Sequence, residues 1–87
     1  MDAAGIDAFR STFERSVRKI ANVPDDWEYR CMWLQNDDFR VVQNFEADGE
    51  ARIISNGSRS DHPGVWHATF FISPSAIEQI RASQKEP

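Results

Sequence analysis

Cysteine is almost absent from this chain, because Cys31 is the only one among 87 residues. A single thiol excludes an intramolecular disulfide and any metal site built from several cysteines. An unpaired cysteine is typical of reducing compartments. The N-terminus also carries Asp2 and Asp7 where a secretory signal has basic residues and an apolar run. The sequence therefore predicts a cytoplasmic protein.

Long apolar runs are absent as well, and none approaches the length that a membrane span requires. Apolar side chains still make up 40% of the chain and aromatic ones 11%, which is too much for a disordered protein. We expect one domain over residues 1–87, with frayed ends at 1–5 and 83–87. A domain of this size has one core and no room for a large enclosed active site.

Signatures of catalysis are missing from the sequence. Gly57 and Gly64 stand isolated with no lysine after them, so no phosphate-binding loop is predicted. His62 and His67 match no metal-ligand spacing, and Cys31 is expected to be a buried, inert thiol within a strand. We therefore predict that the chain is not an enzyme and that it binds no cofactor. A small metal- or thiol-dependent enzyme that uses the two histidines and the cysteine is an alternative.

The clearest local pattern lies in residues 65–80. Every second side chain of its first half is apolar, which predicts a strand over 65–72 with one face in the core. Pro74 fits the first turn of a helix that follows directly, with either Ser73 or Ser75 as the N-cap. The core-facing side chains are Trp66, Ala68, Phe70 and Ile72.

An amphipathic helix is predicted near the N-terminus, because apolar residues recur there at spacings of three and four. Asn22 and Pro24 are expected to end it. The apolar stripe is expected to pack on the sheet, and a seam between two copies is the alternative. The stripe consists of Ile6, Phe9, Phe13, Val17 and Ile20.

Three further strands are predicted by alternation, over residues 27–34, 39–46 and 51–55. The polar cluster at 35–38 and the Asp-Gly step at 48–49 are interpreted as turns, and residues 56–64 as a polar loop. The predicted fold is a small α+β domain in the order helix, four-stranded antiparallel meander sheet, helix, with both helices packed on one sheet face.

Acidic residues outnumber basic ones, and the net charge of −4 comes from one segment. Residues 25–50 carry eight acidic groups against two basic groups. A similar element order occurs in double-stranded RNA-binding domains, but nucleic-acid binders need a basic footprint that this segment lacks. A nucleic-acid-binding module is therefore only an alternative. It would use Arg59 and the basic edge of the first helix, formed by Arg10, Arg15, Arg18 and Lys19.

We expect a non-enzymatic domain that binds another protein through an acidic and aromatic sheet face. It would act as a regulator, as an inhibitor of the kind that phages and mobile elements encode, or as an assembly subunit. The acidic groups favour a partner with a basic surface, and aromatic residues on both predicted sheet faces also favour a homodimer. No membrane partner is expected. The candidate contact residues are Trp33, Asp37, Asp38, Arg40, Glu46, Asp48, Arg59 and His62.

Overall fold

The computed structural model describes residues 3–59 and 61–84, with side chains from Ser11 onward. Within these residues there are three helices and three strands. No described helix combines the length and the apolarity that a bilayer span requires. Of the ends predicted to fray, 3–5 and 83–84 are helical, and the rest lies outside the described residues. The elements are α1 Ala3–Ala21, β1 Glu28–Gln35, α2 Asn36–Ala47, β2 Ala51–Ser58, β3 Val65–Ile72 and α3 Pro74–Gln84.

The last strand, β3, occupies the centre of the sheet, whose described strands lie in the order β1-β3-β2. Both neighbours run antiparallel to β3, so β1 and β2 are parallel to each other and are joined through α2. The α+β class and the antiparallel pairing are confirmed, whereas the four-stranded meander between two helices is wrong. Parallel strands cannot be joined by a tight turn, which is why a helix separates β1 and β2 along the chain.

The second predicted strand, residues 39–46, is part of helix α2. Phe39, Val42 and Phe45 recur at a spacing of three and face the sheet, and the first two are buried. The strand prediction was wrong because Phe39 and Phe45 satisfy both the period of a strand and the period of a helix. A short segment with few apolar residues does not distinguish the period of a strand from the period of a helix.

Both segments that were predicted as turns contain ends of α2. The carboxylates at 37–38 lie in its first turn, where negative charge suits the helix dipole. At the other end Gly49 has a φ of +80°. Its N–H donates to Glu46 O at 3.1 Å, and Glu50 N–H donates to Phe45 O at 2.8 Å. These two bonds form a Schellman motif. The Asp-Gly step was interpreted as a turn because it supplies positive φ at a helix end as readily as in a hairpin.

The strand and helix predicted over residues 65–80 are confirmed. Of the two possible helix starts, Ser73 is the N-cap, since its Oγ accepts the N–H of Ala76 at 3.0 Å. The same hydroxyl donates to the carboxylate of Glu50, which joins the start of α3 to the start of β2. The cap therefore fixes the direction in which α3 leaves β3.

One core lies between the sheet and a layer formed by α2 and α3. Beside it, a groove of about 720 Å³ opens between β1, α2 and α3. Its walls include Met32, Leu34, Val41, Phe45, Ile77 and Ile80. The buried core cluster consists of Phe39, Val42, Ala51, Ala68, Phe70, Ile72 and Ala76.

Helix α1 lies on the opposite side of the sheet, near one end. The Arg18 guanidinium is 4.9 Å from the centre of the Phe71 ring, and it donates to Trp27 O at 2.8 Å. The predicted packing of the apolar stripe on the sheet is wrong for Phe13 and Ile20, which are 49% and 85% exposed. The reason is that α1 turns Arg18 toward the sheet. The prediction that both helices pack on the same sheet face was also wrong, because α1 and α3 lie on opposite faces.

The end of α1 is as predicted. Asn22 adopts a φ of 57°, and its N–H donates to Arg18 O at 3.0 Å. This is the single-bond left-handed cap that asparagine tolerates. The side chains of Ile6 and Phe9, which complete the predicted stripe, lie outside the described part of the chain.

Candidate functional site

The sheet surface turned away from α2 and α3 is called the open face. Residues directly opposite each other in an antiparallel pair share a face. Cys31 lies opposite Thr69, and Trp33 lies opposite His67. The next strand, β2, extends this surface on the other side of β3. The open face consists of Tyr29, Cys31, Trp33, Arg52, Ser55, Gly57, His67, Thr69 and Phe71.

One end of the open face is covered by α1. Phe71 is fully buried there, with Arg18 above its ring and the Tyr29 ring at 5.4 Å. Burial raises the pKa of the Tyr29 phenol, and the nearby Cys31 and Glu14 act in the same direction. This end is therefore a packed support that anchors the rest of the face.

Trp33 is the most prominent side chain of the uncovered part, since 53% of it is exposed. The His67 ring meets it edge-on with 4.9 Å between ring centres. The Arg59 guanidinium lies 5.2 Å from the centre of its ring. A cation and an aromatic ring at this separation attract each other by about 0.5–1 kcal/mol at an exposed site. Two neighbours from different segments thus hold the indole in one orientation.

Asp61 in turn holds Arg59 in place. The guanidinium donates through two nitrogens to the two carboxylate oxygens, at 2.9 and 2.6 Å. This pairing lowers the pKa of the Asp61 carboxyl below its ordinary value of 3.8. The exposed His62 places its Nε2 3.9 Å from the same carboxylate. Three predicted contact residues, Trp33, Arg59 and His62, therefore lie in one chain of side-chain contacts.

The thiol of Cys31 is exposed, which corrects the prediction that it is buried. Its Sγ lies 3.5 Å from Nε2 of His67 and accepts a hydrogen bond from Oγ1 of Thr69 at 3.4 Å. The prediction was wrong because Cys31 lies on the open face of the sheet and not on the side that packs against α2 and α3. In the part of the chain that the structure describes, no group of three or more His, Cys, Asp or Glu side chains could hold a metal ion.

The other predicted contact residues lie on the far side of the sheet. Phe39 of α2 stacks on Trp66, with 5.0 Å between ring centres. Trp66 precedes His67 in the same strand, so the two point to opposite faces. Glu46 accepts the backbone N–H of Ile53 at 2.7 Å, which joins α2 to β2. The helix and its C-cap carry Asp37, Asp38, Arg40, Glu46 and Asp48.

The expected acidic and aromatic face is therefore divided between two surfaces. Trp33 and Arg59 come together on the open face, and the acidic side chains surround α2 on the other side. Tyr29, Cys31 and His67 belong to the open face but were not predicted as contact residues. Alternation in β1 and β3 predicts which side of its strand each of these three residues occupies, but not which side of the sheet is exposed. Cys31 is exposed because no described element covers the part of the face where it lies.

Comparison of the chain with family models, with curated proteins and with solved structures found no match.

Proposed function

We propose that this chain is a non-enzymatic protein-binding domain whose contact surface is the uncovered part of the open face. Trp33 carries the proposal, because it is a large aromatic side chain that is half exposed and already oriented by Arg59 and His67. Tryptophan and arginine are enriched among the residues that dominate binding energy at protein interfaces. They combine a large contact area with a polar edge that finds hydrogen bonds.

The support beneath Trp33 favours binding without a large ordering cost. All eight residues of β1 pair with β3 in a single register. The Arg59 and Asp61 pair fixes the guanidinium next to the indole. A partner that covers this site therefore immobilises fewer free side chains than it would on a loop, which leaves more of the contact energy as affinity.

The acidic groups of α2 indicate the charge of the partner. Asp37 and Asp38 are exposed on the side of the sheet opposite Trp33, so they act on an approaching partner at a distance. Such charge raises the association rate of a basic partner and is screened by salt. It has little influence on dissociation. The partner in this proposal therefore has a basic surface around an apolar pocket that receives Trp33.

The proposal is tested by capture from lysate of the protein's source or host. Tagged wild-type protein and Trp33→Ala are used in parallel, with quantitative mass spectrometry at low and high salt. We expect one protein to be retained by the wild type and depleted about tenfold or more by Trp33→Ala. A central interface residue of this kind is worth about 2 kcal/mol, which corresponds to a loss of affinity of about thirtyfold.

Met32→Ala is the matched control, because Met32 directly precedes Trp33 in β1, is 41% exposed, and points to the opposite face. It is expected to retain the captured protein. A joint Asp37→Asn and Asp38→Asn variant should slow association at low salt and leave dissociation unchanged. A captured protein that ignores Trp33→Ala, or the absence of any captured protein, contradicts the proposal.

Single-stranded nucleic acid is a second candidate, favoured by an arginine beside an aromatic ring on an exposed sheet face. Charge opposes it, because the chain is net −4. Arg18 is also engaged with the backbone carbonyls of Pro24 and Trp27, and Arg59 with Asp61. Fluorescence anisotropy at low salt with single-stranded DNA and RNA separates the two functions. Tight binding that is weakened by Trp33→Ala would favour nucleic acid.

A further inference from the structure

The two outer edges of the sheet differ in how well they resist pairing with another strand. The β2 edge carries a register irregularity between Ile53 and Ser55. The carboxylate of Glu46 also occupies the backbone N–H of Ile53 at 2.7 Å. A bulge and a side chain that covers the edge both prevent another strand from adding. The β2 edge is therefore protected.

Among the residues that the structure describes, the β1 edge has neither feature. Its eight residues pair with β3 without a register shift, and no described strand lies on its outer side. Residues 30–33 are all exposed, so the middle of the strand is uncovered on both faces. Met32 and Trp33 are among the large exposed apolar side chains of the molecule. A long, regular edge with exposed apolar side chains is a template for strand addition.

The register of the sheet also shows which backbone groups of β1 face outward. The N–H of Ile53 points away from β3, so Ile53 and its partner Phe70 exchange no hydrogen bonds. Phe70 therefore bonds on its other side to its β1 partner, Arg30. Bonding direction alternates along a strand, so the odd-numbered residues of β1 present their N–H and C=O groups outward. These are Tyr29, Cys31, Trp33 and Gln35.

The outward-facing residues are self-complementary in one two-fold register. With Cys31 opposite its own copy, Tyr29 of each chain lies opposite Trp33 of the other. Cross-strand aromatic pairs stabilise antiparallel sheets, and symmetry supplies this pair twice. A register centred on Arg30 places two arginines directly opposite each other. A register centred on Met32 loses both aromatic pairs. It places Tyr29 opposite Gln35 and Cys31 opposite Trp33.

We propose that β1 pairs with β1 of a second copy in the register centred on Cys31, giving a two-fold dimer with a continuous six-stranded sheet. The open faces of the two copies then form one surface with Trp33 still presented on it. The dimer does not depend on the proposed function, because it needs only the purified chain.

Sedimentation of the purified protein over a concentration series tests the dimer. The wild type is expected at twice its chain mass of 10.0 kDa. Cys31→Lys places two lysines opposite each other across the two-fold axis, and it should weaken self-association by about tenfold or more, as should Cys31→Glu. An equimolar mixture of the two variants should regain the dimer mass, because opposite charges then face each other.

Ser55→Lys is the matched control, since it adds the same charge to the same face but on β2. It should sediment as the wild type does, and circular dichroism melts of every variant check that the fold is kept. A wild type that stays monomeric at high micromolar concentration overturns the proposal. A dimer that survives Cys31→Lys also overturns it. One such outcome is a dimer that is lost only when Phe13 and Ile20 are replaced by serine, which would place the interface on α1.

Discussion

Trp33 shows how a residue's role depends on what lies above it. Alternation in β1 assigns it to the same side as Tyr29 and Cys31, and this side is strongly aromatic. Aromatic sides of strands are usually buried, because they contribute most when removed from water. Here the described side chains of α1 cover the end of the face at Phe71 and leave Trp33 exposed, so the same pattern produces an exposed anchor.

At the residue scale, acid is expected to release Arg59 from Asp61. The folded-state pKa of Asp61 lies below its ordinary value of 3.8, so the pair is present above that value and is lost as pH falls through the lower folded value. The indole N–H signal of Trp33 in ¹H–¹⁵N spectra should move over this range.

Two comparisons make that titration specific to the pair. In Asp61→Asn the Trp33 signal should already be displaced at neutral pH and should no longer titrate. The indole of Trp66 serves as the internal reference, because it donates to the amide oxygen of Asn36, which does not titrate. A Trp33 signal that moves equally in wild type and Asp61→Asn would show that the carboxylate does not control it.

At the element scale, α2 and α3 illustrate opposite degrees of predictability. Residues 65–80 carry an uninterrupted alternation, a proline and a serine cap, and each of these signals is local. Two of the three core-facing residues of α2, Phe39 and Phe45, fit either period, and the segment ends in an Asp-Gly step that fits either a hairpin or a helix end. The first-turn carboxylates at 37–38 were the available helix signal.

Ser73→Ala is expected to lower the free energy of unfolding by about 1–2 kcal/mol, because it removes the cap from α3 and the hydroxyl that bonds Glu50. Ser75→Ala is the matched control, since Ser75 is exposed and would be the cap in the other register. It should change stability by no more than about 0.5 kcal/mol. Urea unfolding measures both, and equal effects would mean that the helix start is not fixed at Ser73.

At the scale of the whole molecule, the chain builds one core on one side of its sheet and leaves the other side half covered. The helices α2 and α3 bury the apolar side of β3, whereas α1 contributes Arg18 to the other side and leaves Phe13 and Ile20 exposed. A protein of this size has marginal stability, about 0.05–0.15 kcal/mol per residue. On the half-covered side, the effect of a substitution should therefore depend on whether the residue is buried beneath α1 or exposed on it.

Phe71→Ala is expected to cost about 3–5 kcal/mol, because the side chain is fully buried between the sheet and α1. Its melting temperature should fall by more than about 12 °C, or the protein should not fold. Replacing both Phe13 and Ile20 by serine should lower it by less than about 4 °C, since Phe13 is half exposed and Ile20 is largely exposed. A large fall in the melting temperature of the double variant would show that the α1 stripe lies in a packed interface.

The sequence by itself determined the elements whose signals are local: the N-terminal helix with its end at Asn22, and the central strand with its core face and the helix that follows it. The tertiary structure alone decided that β3 lies between β1 and β2, because strand order depends on contacts between distant segments. It also decided which side of the sheet stays open. Alternation tells which residues share a side, but only the packing of the three helices determines which side water reaches.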